Sequence, residues 1–211
     1  TERHPDVSAI VGMHPHEAFE ILSYAYSGAI GHKDTLGNDR TVRRGGIQVM
    51  QTGSGVSHEE HMLGEEGAEF FQIWFEPDLR QAVTHQPIYR DFEESEIPTE
   101  VIADATWSYY IGPKAPMKLE TDASIAKAVL PAGKSTELNV EKGRALAILI
   151  VEGSAGFRDS QGVETVAERK EFIVLEASET GIVAVNAIND QDLEIMVIDV
   201  PQEVDYPLYP K

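Results

Sequence analysis

The chain has 211 residues, 42% of them hydrophobic and 25% charged, a globular profile with length for one large or two small domains. Its 36 acidic against 17 basic residues give a formal net charge of −19 with no basic run, which argues against direct nucleic-acid binding and reads as a solubility device. Cysteine is absent, removing disulfides and thiolate chemistry; no run nears the roughly 20 apolar residues that cross a bilayer and no signal-peptide pattern opens the chain, so no membrane partner and a cytoplasmic setting are expected.

The first informative element is His14-Pro15-His16. In an extended strand, residues two apart share a face, so His14 and His16 point together. A strand is expected over 19–26, then a glycine-rich hairpin carrying Gly28, Gly31, Asp34 and Gly37, then a strand over 47–52. His58-Glu59-Glu60 repeats the face-sharing pattern, with His58 and Glu60 on one side and Glu59 and His61 on the other. The aromatic segment 68–76 reads as a buried strand, its Phe70, Phe71, Trp74 and Phe75 as core, with a place at the barrel mouth as the alternative for some of them. The acidic stretch 89–106 reads as an exposed connection. Further strands are expected over 107–111, 125–130, 145–151, 171–175, 182–187 and 194–200, separated by turn signals such as Pro131-Ala132-Gly133 and Gln161-Gly162. No window has a sustained helical period, so the fold class is all-β, a sandwich or barrel.

An internal repeat divides the chain. Gly28, Gly31, Asp34 and Gly37 recur as Gly153, Gly156, Asp159 and Gly162, all at an offset of 125. Two copies of one β unit follow, an N-terminal domain over 1–106 and a C-terminal domain over 107–211. At that offset His14 and His16 fall on Asn139 and Glu141, and His58 and Glu60 on Val183 and Val185. The second copy keeps the scaffold without the polar set, so the four residues of the first copy are not a requirement of the β unit.

Side by side in a sheet, His14, His16, His58 and Glu60 supply three imidazoles and a carboxylate. Imidazole suits iron, nickel, copper and zinc, and the carboxylate adds a hard oxygen donor. Four protein ligands on an octahedral ion leave two positions open, whereas zinc tends to close tetrahedrally on four. Iron(II) is therefore the expected ion, with manganese, nickel, copper and zinc as alternatives. The remaining histidines read as bystanders: His61 on the outer face, His32 as a polar surface residue of the hairpin, His4 and His85 in loops beside prolines.

The motifs resemble a known family. His14-Pro-His-Glu-Ala-Phe-Glu20 with the hairpin segment His32-Lys-Asp-Thr-Leu-Gly-Asn38 is similar to the first signature of the pirins, bicupin proteins of the cupin superfamily. The run from Gly45 to Glu60, with Ile47-Gln-Val-Met50 and His58-Glu-Glu60, resembles the second, and Phe71-Gln-Ile-Trp74 the strand that follows. Glu17-Ala18 stands where pirins usually carry Arg-Gly, Gly45-Gly46 where they carry Gly-Asp, and Val49 where a Trp is common. The resemblance implies two cupin-type β-barrels in tandem, with iron ligands at His14, His16, His58 and Glu60 in the first and none in the second. It also implies a quercetin 2,3-dioxygenase-like activity, in which a flavonol-like aromatic substrate reacts with O₂ at the ion and Glu60 serves as the catalytic base. The alternative it implies is a non-enzymatic metal-binding co-regulator that acts through protein partners.

Overall fold

A computed structural model describes residues 7–64 and 67–209; His4 lies outside the described residues. The chain divides into two compact units. One runs to Ile97 and takes in Leu119–Thr121 and the chain from Tyr206; the other comprises Pro98–Lys118 and Asp122–Asp205.

The first unit is built from β1 (Val7–His16), β2 (Glu20–Ser27), β3 (Ala29–Asp34), β4 (Asp39–Arg43), β5 (Ile47–Gln51), β6 (Val56–Leu63), β7 (Glu69–Phe75), a single helical turn α1 (Leu79–Ala82) and β8 (Ile88–Phe92). Two antiparallel four-stranded sheets result, in the orders β1-β6-β3-β4 and β7-β2-β5-β8. They face each other: Val56 of the first packs on Ile21 and Met50 of the second, and Gln48 donates to the Ile30 carbonyl at 3.0 Å. β6 alternates buried and half-buried residues from Val56, so His58 and Glu60 point inward. The stretch expected to be an exposed connection instead supplies β8, whose Tyr89 is buried; strand pairing with β5 draws it into the sheet.

The second unit contains β9 (Thr99–Ile102), β10 (Ala105–Ile111), β11 (Ser124–Leu130), β12 (Ser135–Val140), β13 (Arg144–Glu152), β14 (Ser154–Arg158), β15 (Glu164–Glu168), β16 (Phe172–Glu176), β17 (Gly181–Ile188) and β18 (Leu193–Pro201). Its sheet β12-β17-β14-β15 repeats the order β1-β6-β3-β4 strand for strand. The facing sheet, β16-β13-β18-β11-β10-β9, closes over an apolar core that includes Leu138, Val140, Phe157, Val185, Ile148 and Ile195. Burial of side chains this size stabilises by roughly 1.5–3 kcal/mol each before entropy is counted.

The repeated hairpin has a physical basis in both copies. Gly28 and Gly153 sit at φ +66° and +79°, and a Cβ at either would strike backbone, the Leu63 carbonyl in one copy and the Asp192 carbonyl in the other. The aspartate of the motif accepts two backbone N–H groups through Oδ1: Leu36 and Asn38 at 2.9 and 3.0 Å on Asp34, Gln161 and Val163 at 2.9 Å each on Asp159.

Candidate metal centre

β1 lies at the edge of its sheet, the kind of strand that tolerates a proline such as Pro15. Register sets His14 opposite His58 and His16 opposite Val56. The three imidazoles gather with ring centroids 4.7 Å apart for His14–His16, 4.5 Å for His14–His58 and 5.0 Å for His16–His58. One nitrogen from each lies within 4.8 Å of the other two, and this is the set of side chains brought together as metal donors among the described residues.

Hydrogen bonds orient the donors. The Nδ1 of His14 lies 2.8 Å from the Gly12 carbonyl; a carbonyl only accepts, so Nδ1 carries a proton and, in the neutral ring, Nε2 keeps its lone pair. The Nε2 of His58 is buried with no hydrogen-bond partner among the described residues. An orphan of that kind calls for a ligand, and three neutral imidazoles suit a divalent transition metal. Burial, then repulsion from His14, His32 and His16, pushes the His58 pKa down to about 3, so this ring is neutral and ready to donate at ordinary pH. His16 is lowered for the same two reasons, burial first and then His14.

Glu60 is buried on the same face as His58 but does not join the three-imidazole group. Its carboxylate accepts from Gln72 Nε2 at 3.0 and 3.1 Å and from Ser23 Oγ at 3.3 Å. Trp74 Nε1 donates to Gln72 Oε1 at 2.8 Å, which fixes the amide with its NH₂ toward Glu60. Neither Gln72 nor Ser23 was expected from the sequence. Both sit on strands of the opposite sheet, and only the stacking of the two sheets reveals their role.

His32 departs from the expectation of a surface residue. It is 3% exposed, donates from Nε2 to Asp34 Oδ2 at 2.9 Å, and places Nδ1 3.4 Å from His58 Nδ1. Tyr89 stacks on its ring at 4.1 Å. The Tyr89 hydroxyl is buried without a hydrogen-bond partner among the described residues, and burial pushes its pKa up. For Asp34, burial acts to raise the pKa, but hydrogen bonds from His32 and Asn38 outweigh it and hold the carboxyl below its ordinary value. A signal was present in the repeat: at offset 125 His32 falls on Phe157, a core residue.

Trp74 is the member of the aromatic cluster that leaves the core. It is 46% exposed and meets His16 edge-on with centroids 4.8 Å apart, while Phe19 packs on it at 5.6 Å. Phe75 is buried, and Phe70 and Phe71 are half-buried. Beside His16 opens a cavity of about 590 Å³ whose lining includes Glu17, Thr35, Ser54 and Ser57. His61 lies outward and pairs with Glu59 at 3.2 Å; His85 pairs with Glu120 at 2.6 Å.

The alignment of the two copies also needs a one-residue correction. Leu138 opposes Val183 and Val140 opposes Gly181, so the partners of His14 and His16 are Leu138 and Val140, not Asn139 and Glu141. The strand that follows has nine residues in β13 against eight in β2, which shifts the offset before it from 125 to 124.

The pirin family model matches residues 2–75. A Pseudomonas aeruginosa protein named "Putative quercetin 2,3-dioxygenase PA1210" is 31% identical over 189 residues, 89% of this chain and 75% of that protein. A pirin-like protein of Caulobacter vibrioides is 30% identical over 185 residues, 87% of this chain and 75% of its own length. In fold, the chain is similar to a quercetin 2,3-dioxygenase of Acinetobacter baumannii, with a TM-score of 0.79 at 24% identity over 95% of this chain and 70% of that one. It is also similar to the Escherichia coli pirin YhhW in complex with nickel(II), with a TM-score of 0.73 at 22% identity over 93% and 78%. No helix among the described residues is long and apolar enough to cross a membrane. With two facing sheets per unit, a repeated strand order and relatives of this closeness, the chain belongs to the pirin family and has its cupin fold.

Proposed function

We propose that this chain is a metal-dependent dioxygenase of the pirin type that acts on a flavonol-like aromatic substrate with O₂. The ion, iron(II) in this reading, is held by His14, His16 and His58 with Glu60 as fourth donor, and the C-terminal barrel holds none. The observation that carries the proposal is the convergence of three imidazoles around the partnerless Nε2 of His58. The cavity beside His16 and the names of the relatives support it further.

When bound, such an ion supplies Lewis acidity and a template for the two reactants. The chain's own residues do the rest. Trp74 and Phe19 offer an apolar wall beside His16 for a planar substrate. In this reading Glu60 takes the proton of the substrate hydroxyl, a role supported by the hydrogen bonds that Gln72 and Ser23 donate to its carboxylate.

Aerobic incubation of the iron-loaded protein with quercetin, followed by loss of the near-ultraviolet flavonol band, tests the reading. Turnover above that of free iron supports it; a loaded protein without turnover favours the co-regulator that acts through protein partners. Glu60→Gln should lower turnover by roughly 100-fold or more while iron content changes far less. Parallel losses of iron and turnover would remove Glu60 from the role of base.

A further inference from the structure

We infer that His32 is a positioning residue for the metal centre: its Nδ1 receives the Nδ1–H of His58 and so holds that imidazole with Nε2 turned toward the ion. The inference rests on the proposed metal reading and extends it to a residue outside the ligand set.

With both imidazoles neutral, three hydrogen-bonding groups form a chain with one consistent proton arrangement. Asp34 Oδ2 accepts, so His32 Nε2 carries the proton in their 2.9 Å contact. His32 Nδ1 then has a lone pair, and the His58 Nδ1 facing it at 3.4 Å must be the donor. That leaves His58 Nε2 deprotonated, and it is the atom found buried without a partner. Both His32 nitrogens are thereby occupied, so His32 supports the centre and does not ligate it. A ligating histidine commonly gives its second N–H to such a partner, which sets tautomer and ring orientation.

The second unit supplies an internal control. β3 pairs with β6 so that His32 lies opposite Glu60 and Asp34 opposite His58. In the same register Phe157 lies opposite Val185, and Val183 is the counterpart of His58. Asp159 keeps the hairpin bonds of Asp34, so the hairpin needs the aspartate but not the histidine. The bond from His32 to the second carboxylate oxygen occurs where the three imidazoles occur.

His32→Phe gives the first barrel the residue its sister carries and keeps a ring beneath Tyr89 while deleting the acceptor. In the full chain, nickel(II) affinity measured against a chromophoric chelator should fall roughly 10–100-fold. Long-range ¹H–¹⁵N spectra of the metal-free protein should show His58 as the Nδ1–H tautomer, and His32→Phe should abolish that signature. His32→Gln, whose amide oxygen can accept the same proton, should recover part of the affinity, and it carries the test if the phenylalanine variant fails to fold. Unchanged nickel affinity with an unchanged His58 tautomer in both variants would overturn the inference. An Nε2–H tautomer in the unsubstituted metal-free chain would also overturn it, whatever the metal result. A parent that takes up no nickel while showing the Nδ1–H tautomer would count against the metal reading, leaving the hydrogen-bond chain in place.

Discussion

The two units use one strand plan with opposite interiors. Positions 14, 16, 32, 58 and 60 of the first barrel hold four histidines and a glutamate. Their register partners, Leu138, Val140, Phe157, Val183 and Val185, are all apolar and pack in or against one core. Around the first set the interior carries further buried polar groups, Ser23, Asp34 and Gln48 among them, each with a hydrogen-bond partner. The difference shows that the backbone does not require the histidines. A polar interior forgoes burial energy that the sister barrel collects, and proteins accept such local losses where a site must stand.

Exchanging the interiors is the strongest test of that comparison. The triple substitution H14L, H16V and H58V should lower nickel(II) affinity by well over about 100-fold, more than loss of an outer partner alone. With His32→Phe added, so that no acceptor is left behind at position 32, the metal-free chain should become more stable by about 1–3 kcal/mol, because a buried imidazole nitrogen without a partner among the described residues is removed. Chelator competition and thermal unfolding check both signs, and retained nickel binding would break the comparison.

The converse change, Val185→Glu, places a carboxylate in a position 0% exposed and surrounded by apolar side chains. It should destabilise by roughly 3–5 kcal/mol or prevent folding, read as a shift in the denaturant midpoint. A mild effect would mean that the second interior accepts charge as the first does.

Acidity should separate the barrels through His58. Its pKa lies at about 3 in the folded chain against 6.5 for a free imidazole. Above pH 6.5 the ring is neutral in both states and contributes no pH dependence. Between 6.5 and about 3 the unfolded chain binds a proton that the folded ring refuses, so stability falls as pH falls, by up to about 1.4 kcal/mol per pH unit. Denaturant titrations of the metal-free parent across that window should show the slope, and the triple variant should show less of it.

The smallest effect concerns the aromatic wall. Trp74→Ala should raise KM for quercetin by the few-fold that roughly 0.5–1.5 kcal/mol of aromatic contact represents, with little change in kcat. A fall in kcat alone would instead point to Gln72, which Trp74 holds in place.

Much of this was legible in local pattern. Period-two alternation placed His58 and Glu60 on one face, and the glycine-aspartate spacing exposed the duplicated hairpin, because both are properties of a few adjacent residues. His32 was misread because a hairpin residue is polar and exposed by default; the ring stacked on it belongs to Tyr89, fifty-seven positions away on the facing sheet. Trp74 stood between core and barrel mouth, since an aromatic run looks like core until the strand's outward face is known. The partners of His14 and His16 were misplaced by one residue because β13 is longer than β2, and only strand register shows which residues oppose each other.

The sequence alone determined an all-β chain, its duplication and the polar positions present in one copy and missing from the other. Tertiary structure decided that three imidazoles converge, that Glu60 is held by Gln72 and Ser23, and that His32 stands behind His58. Alternation along a strand fixes which way a side chain points within its own sheet. What it meets there depends on the facing sheet and its register, and those contacts join residues far apart in the chain.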